Sequence, residues 1–221
     1  MTLVSVIMSE YNTSPNYFKR AVESIIDQTY RDFEFIIVFD GSFENEKYLK
    51  EINDSRITII KNLRNIGLAK SLNKAIKISK GEYIVRMDTD DVSLPNRLEV
   101  LVNEISSSKN KEFDVIGSSI IEFDDEQLNK KRILDIEITK KELVKRIAPV
   151  HPSVIMRKEI LNEIGGYKDY NRCEDFVLWA DVLCSGGRIK IIPDVLLLYH
   201  IDINDMRKRK ISKRKDEIFA R

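Results

Sequence analysis

Three carboxylates, Asp88, Asp90 and Asp91, follow directly on the apolar run Tyr83-Ile84-Val85-Arg86-Met87. Acids packed this closely repel one another, and a fold keeps them together chiefly where a divalent cation neutralises them. Hard oxygen ligands suit Mg2+ or Mn2+, ions that commonly accompany diphosphates. The segment therefore implies metal-assisted chemistry on a nucleotide-linked substrate. A second acid pair, Glu174-Asp175, opens a helical pattern much later in the chain, where acids also favour the helix macrodipole. An Asp-x-Asp match alone carries little weight, since about one is expected by chance in so acidic a chain. Its place at the end of a buried strand, ahead of Leu94-Pro95-Asn96-Arg97-Leu98, gives it meaning.

The elements that must position these acids can be read from periodicity. Leu3 to Met8 reads as a strand, followed by a turn around Asn12 to Pro15. Tyr17, Phe18, Ala21, Val22, Ile25 and Ile26 then recur at helical spacing. Phe33 to Phe39 and Ile57 to Ile60 are further strands, and Leu68, Leu72, Ala75 and Ile76 mark a helix that Gly81 stops. The strand ending at Met87 comes fourth, and Pro95 opens a helix through Leu98, Leu101, Val102 and Ile105. Strands without polar alternation, separated by helices, imply an α/β fold with a parallel sheet covered on both faces. Ligands of such sheets bind beyond the carboxyl ends of the strands. Ser9 to Tyr11, Asp40 to Ser42 and Asp88 to Asp91 all fall there, so three distant segments converge on one rim.

The second half is less regular. Asp114 to Phe123 reads as a strand, Asp124 to Lys131 as a turn or hairpin tip, residues 132–138 as its partner and 140–147 as a short helix. Pro152 to Met156 reads as a strand and Arg172 to Leu183 as a helix, with two short strands, Ile189-Ile192 and Val195-Tyr199, flanking Pro193-Asp194. No linker or internal repeat separates the halves. Residues 1–204 are expected to form one domain, with a nucleotide half over about 1–110 and an acceptor half over 111–204, followed by a basic tail over 205–221.

Composition narrows the function classes. The chain has 221 residues, 33% charged and 43% hydrophobic, enough for a core of ordinary size. A net charge of +1 excludes a general polyanion binder. Cys173 and Cys184 form no disulfide framework and lack metal-ligand spacing, so a reducing cytoplasm is expected, with both as packing residues. The N-terminus shows no basic leader, and no apolar run approaches the 18 or so residues of a membrane span.

Several blocks together resemble a known family. Val4-Ser5-Val6-Ile7-Met8-Ser9-Glu10-Tyr11-Asn12 is similar to the opening strand of glycosyltransferase family 2, whose fold is called GT-A. Ser24 to Tyr30, Phe33 to Val38 with Asp40-Gly41-Ser42, Asn65 to Ala69 with Asn73, Gly81 to Ile84, and Met87-Asp88-Thr89-Asp90-Asp91 resemble its donor-side blocks. His151-Pro152-Ser153, Gly165-Gly166-Tyr167 and Glu174 to Trp179 resemble its acceptor-side blocks. The likeness runs in order over about residues 3–200. It implies a single Rossmann-like domain, with a mostly parallel central sheet flanked by helices and a smaller acceptor-side sheet.

The resemblance also implies an inverting transfer from a nucleotide-sugar donor, usually a UDP-sugar, assisted by Mn2+ or Mg2+. Asp90 with Asp88 or Asp91 would hold the ion on the leaving diphosphate, and Asp175 would strip the acceptor hydroxyl, with Glu174 either positioning it or binding the acceptor. Asp40 would accept a bond from the uracil imino group, Tyr11 stack on the base and Ser9 contact the uridine, with Asn65 and Lys70 as weaker contacts. Lys70 reads rather more as a solvated helix residue than as a contact, Trp179 as core or acceptor platform, and His151 and His200 as packing or ligand contacts. The acceptor implied is a glycan or a lipid-linked saccharide of bacterial surface polysaccharide, such as capsule or O-antigen.

Two departures stand out. The family carries two acids before Gly-Ser, whereas Phe39 holds the first position here, and the residues after Tyr199-His200 match poorly. These leave a non-catalytic, sugar-nucleotide-binding scaffold as the alternative. A nucleotidyltransferase would need a Gly-rich loop after the first strand, and residues 9–20 contain no glycine. The tail carries Arg207, Lys208, Arg209, Lys210, Lys213, Arg214, Lys215 and Arg221, which suits either a solvated end or peripheral contact with the anionic cytoplasmic leaflet. No aromatic interleaving supports a nucleic-acid partner.

Overall fold

The computed structural model describes residues 3–107, 112–124, 127–170 and 173–201. The basic tail from Asp205 onward lies outside the described residues. In chain order the elements are β1 (Val4–Glu10), α1 (Pro15–Ile26), β2 (Phe33–Asp40), α2 (Glu46–Ile52), β3 (Ile57–Asn62), α3 (Leu68–Ile78), β4 (Tyr83–Arg86), β5 (Val92–Ser93) and α4 (Arg97–Ser106). The second half adds β6 (Val115–Phe123), β7 (Leu128–Arg132), β8 (Ile136–Ile138), α5 (Lys140–Val144), a 3-10 turn (His151–Ser153), β9 (Val154–Arg157), α6 (Lys158–Glu163), α7 (Glu174–Cys184) and β10 (Ile189–His200).

All the described strands join one sheet in the order β3-β2-β1-β4-β9-β6-β10-β5, with β7 on β6 and β8 on β10. The first half, β3 to β4 in the sheet order, is wholly parallel. Strand β9 runs antiparallel to both β4 and β6 and splices the two halves, so β6 and β10 again point the same way as β4. The smaller acceptor-side sheet is thus a continuation of the central one.

Alternation along the strands divides the core between two faces. Val4, Val6, Met8, Phe35, Ile37 and Phe39 pack beneath Phe18, Ala21, Val22 and Ile25 of α1 and the apolar side of α4. Ile7, Ile36, Val38 and Ile84 pack against Leu72, Ala75 and Ile76 of α3 and against Leu178, Trp179 and Val182 of α7. Each such aliphatic or aromatic side chain contributes about 1.5–3 kcal/mol on leaving water.

The departures from the sequence reading lie where apolar patterning is weak. The partner of β6 is Leu128–Arg132, not residues 132–138; Ile136–Ile138 pairs instead with β10. An edge strand exposed on one side can be polar, so its pattern gave no warning. Ser119 Oγ accepts from Leu134 N and turns the chain from one ladder to the other. Ile189 to His200 is one strand rather than two, with its register shifting at Pro193-Asp194 because proline offers no N–H to the ladder. His151–Ser153 forms a 3-10 turn before β9, and α4 begins at Arg97, where Gln28 Oε1 accepts from Leu98 N. Helices α2 and α6 bury only Leu49 and the pair Ile160 and Leu161, too little for a helical stripe to be legible.

Candidate active site

The carboxyl ends of β1, β2 and β4 form one rim, as the alternation implied. Gly41 stands at its centre with φ +87°, and a Cβ there would lie 2.4 Å from Asn65 N. Only glycine lets the loop after β3 pass so close to the end of β2. That loop is held by Asp40, whose Oδ1 accepts from Asn62 Nδ2 and Ile66 N and whose Oδ2 accepts from Gly67 N, each at 2.9 Å. Asp40 is buried, and three of its acceptor positions are taken by its own chain. Asn65 is exposed on the loop it holds, Ser9 is half-buried at the end of β1, and Tyr11 stands 52% exposed beside them. Lys70 points away to an exposed ion pair with Asp169 at 2.5 Å. Phe39 faces the opposite side of β2, fully buried against Phe18 and Phe43, so the position where the family carries an acid is core packing here.

The three acids after β4 have different surroundings. Asp88 is part-exposed and ion-paired with Arg86. Asp90, also part-exposed, lies 3.3 Å from His200 Nδ1. Burial and the neighbouring Asp88 charge raise its pKa above the ordinary carboxylate range. Asp91 is only 1% exposed; its Oδ1 accepts from His200 N at 2.8 Å, and Oδ2 is buried with no hydrogen-bond partner. Burial first, then the charges of Asp88 and Asp90, push Asp91 well up. Asp91 thus pins the end of β10 to this loop, while Asp88 and Asp90 face outward. His200 is packed between Tyr17 and Phe123 at centroid distances of 4.7 and 5.3 Å. Thr13 Oγ1 bonds Thr89 Oγ1 at 2.7 Å and ties the loop to the start of α1.

Two buried guanidinium groups lie beneath these acids. Arg97, fully buried, donates to Arg86 O at 2.8 Å and Pro152 O at 2.5 Å, so it joins the acidic loop to the turn before β9. Burial lowers its pKa to about 10, which leaves it charged at neutral pH. Arg86 is buried at the end of β4, and its Nε has no hydrogen-bond partner. Neither arginine stood out in sequence; an arginine interrupting the apolar run Tyr83 to Met87 was the one available signal.

Glu174 and Asp175 open α7, and Asp175 Oδ1 accepts from Phe176 N at 2.7 Å. Burial raises both pKa values, while the Arg86 charge pulls them back and the Asp88 charge pushes them further up. The charges of Arg86 and Asp88 thus reach the acid pair at the start of α7. Behind them, His151 Nε2 meets Tyr167 Oη at 2.9 Å, and Asn73 of α3 clamps Tyr167 by accepting from its N and donating to its O, both at 2.8 Å. Burial, helped by Arg86, holds the His151 pKa well below its usual value. Trp179 is 1% exposed with its edge toward His151, a core residue rather than a surface platform. Among the described residues, no three His, Cys, Asp or Glu side chains converge as a ready-made metal cage. None of the described helices is long and apolar enough to cross a membrane.

A parallel half, spliced by an antiparallel strand to a second half with its own acid pair, is the architecture of a GT-A-type transferase. The chain belongs to glycosyl transferase family 2, whose profile matches residues 5–165. An uncharacterized glycosyltransferase of Methanocaldococcus jannaschii is 35% identical over 96% of this chain and 76% of its own length. The O-antigen biosynthesis glycosyltransferase WbnJ of Escherichia coli is 30% identical over 96% of this chain and 85% of its own. The crystal structure of S. aureus TarS 1-349 in complex with UDP-GlcNAc superposes with a TM-score of 0.78 at 18% identity, a likeness of fold. It covers 100% of this chain but 64% of the other, so the chain spans less than two thirds of that structure.

Proposed function

We propose that the protein moves a sugar from a UDP-sugar to a hydroxyl of a glycan or lipid-linked acceptor, with inversion, in the synthesis of a bacterial surface polysaccharide. The observation that carries this reading is the presence of two separate acid groups, Asp88 and Asp90 on the rim after β4 and Glu174 and Asp175 at the start of α7. A single displacement needs one charged site for the leaving diphosphate and a separate base for the incoming hydroxyl. Asp175 takes the hydroxyl proton as the acceptor oxygen attacks the anomeric carbon opposite the departing diphosphate. Its raised pKa suits a base, because proton transfer is best driven when that value approaches the working pH. Glu174 sits beside it to hold the acceptor. Tyr11, Ser9 and Asn65 line the nucleoside end, and Asp40 keeps their loop in place. A carboxylate has about four acceptor positions. Its three protein bonds leave Asp40 one for a uracil imino group.

The residues after β4 fit a divalent cation. They are hard oxygen donors, burial and then their neighbours' charges raise the pKa values of Asp90 and Asp91, and the Asp91 Oδ2 is orphaned. Asp90 and Asp88 would hold Mg2+ or Mn2+, which supplies positive charge to the leaving diphosphate. Mg2+ sites on phosphate substrates use one or two carboxylates and leave the other positions to phosphate and water, so a three-residue cage is not required. The names of relatives such as WbnJ, and the UDP-GlcNAc bound to TarS, support the donor and the pathway class. The scaffold alternative loses one of its motives, since Phe39 is a core residue.

The deciding experiment is Asp175→Asn. Transfer from a panel of UDP-sugars should fall about 10²–10⁴-fold, the usual contribution of a placed base, with UDP affinity unchanged. Transfer at the unmodified rate would remove Asp175 from this role.

A further inference from the structure

Arg20 is a cation that lacks an acceptor beside the acidic rim. It projects from α1 one helical turn after Tyr17, and its guanidinium carbon lies 5.3 Å from the Tyr17 ring centroid and 4.8 Å from that of Phe123. The same two rings flank His200, whose Nδ1 lies 3.3 Å from Asp90 Oδ2. Arg20, Tyr17, Phe123, His200 and Asp90 thus form one run of contacts that ends at the rim. Nε and Nη2 of Arg20 are buried, and among the described residues neither has a hydrogen-bond partner.

Stacking on aromatic rings is an ordinary way to pack an arginine, and three others among the described residues do it. Each of those also donates hydrogen bonds. Arg56 lies over Phe33 and donates to Asp54 and to Ile26 O. Arg157 lies over Tyr83 and donates to Phe113 O and Ile105 O, and Arg188 lies over Phe113 and donates to Glu137. Arg20 has the rings without the acceptors. Ring faces attract its charge but leave its N–H groups unmatched, and a buried donor without an acceptor is costly. The carboxylates on neighbouring elements are engaged elsewhere: Glu23 with Tyr48, Asp88 with Arg86, Asp90 with His200, Glu122 with Arg132 and Asp124 with Asn129. An oxyanion from outside the chain would complete the guanidinium.

We propose that Arg20 binds a phosphate group of a substrate at the Asp90 end of the rim. The planar guanidinium fork matches the spacing of phosphate oxygens, and it keeps its charge at any ordinary pH. The residue is part-exposed, so a ligand can reach its outer nitrogen, Nη1. Tyr17 and Phe123 already hold the group in place, so little side-chain freedom is lost when the anion arrives. The nearest source is the diphosphate of the nucleotide-sugar, whose metal Asp90 would hold; a phosphate of a lipid-linked acceptor is the other. That choice of source rests on the proposed transfer reaction; the phosphate site does not.

Calorimetry of the full chain with UDP, uridine and geranyl diphosphate, all in the presence of Mg2+, tests this. Arg20→Met keeps an unbranched side chain between the rings and removes the charge. It should weaken UDP binding by about tenfold or more, the size of one hydrogen bond to a charged group, and leave uridine binding unchanged. Arg20→Lys should recover part of the loss, because an ammonium binds phosphate as a point charge. A loss for geranyl diphosphate with UDP binding unchanged would support the site and assign its phosphate to a lipid-linked acceptor. Both diphosphates bound by Arg20→Met as tightly as by the unmodified chain would overturn the proposal, and so would failure of the unmodified chain to bind either. An equal loss for uridine and UDP would also overturn it and make Arg20 a packing residue. If UDP binding falls as expected but no UDP-sugar is ever transferred, the phosphate site stands and the transfer reading falls.

Discussion

Replacing Asp40 by alanine should cost stability before it costs chemistry. The carboxylate accepts from Asn62 Nδ2, Ile66 N and Gly67 N, each at 2.9 Å, and two of these donors are backbone groups of the loop that carries Asn65. Hydrogen bonds to a charged group contribute roughly 1.5–3 kcal/mol each, and a buried donor left without a partner carries its full desolvation cost. Water entering the vacated space recovers part of this, so the expected loss is about 3–5 kcal/mol rather than the full sum. Total stability is about 5–15 kcal/mol, so the variant should remain folded at room temperature but sit close to its limit. At about 2–4 °C per kcal/mol for a domain of this size, the midpoint should fall by roughly 6–20 °C. Urea denaturation followed by the fluorescence of Trp179, the single tryptophan and a buried one, measures this directly. Asp40→Asn keeps the shape but turns an amide N–H toward Gly67 N, so it should fall between the two. A loss under about 1 kcal/mol in Asp40→Ala, together with collapse of UDP affinity, would refute the reasoning. It would assign Asp40 to the nucleobase rather than to the loop.

Other outcomes follow from the same geometry. Asp90→Ala should weaken UDP binding in the presence of Mn2+ but leave the metal-free affinity unchanged; calorimetry with equal affinities under both conditions in the variant and the unmodified chain would end the metal assignment. His151 should make stability pH-dependent below neutrality. Its folded-state pKa lies well below the ordinary 6.5, so the unfolded chain takes up the proton first. Its contribution is thus complete above that value and lost as pH falls toward the folded pKa. Thermal midpoints of the unmodified chain should therefore drop more steeply than those of His151→Asn between about pH 7 and pH 5. The base role of Asp175 carries a pH signature of its own: transfer should decline on acidification at a pH above the ordinary aspartate range, because burial raises that carboxyl.

The first half was legible because its strands are buried on both faces and its helices on one. Continuous apolar runs such as Phe33 to Phe39 and the helical stripe through Phe18, Val22 and Ile25 cannot be arranged in many other ways. The acids were legible for a related reason: carboxylates placed at strand ends must lie on the rim of a parallel sheet. Their individual duties were not legible. Asp88, Asp90 and Asp91 are nearly indistinguishable in sequence, yet one pairs with Arg86, one meets His200 and one is turned inward.

By itself, then, the sequence determined the layers, the convergence of three strand ends and the presence of two separate acid clusters, all of which follow from local periodicity and residue type. Tertiary structure alone decided that Asp40 secures a loop and that Arg86, buried at the end of β4, pairs with Asp88. It also decided that the mostly polar residues 128–132 form a strand paired with β6. The physical reason is distance along the chain. Burial of an apolar residue is announced by its neighbours in sequence, but the partner of a charge is set by where remote segments come to rest, as with His200 and Asp90.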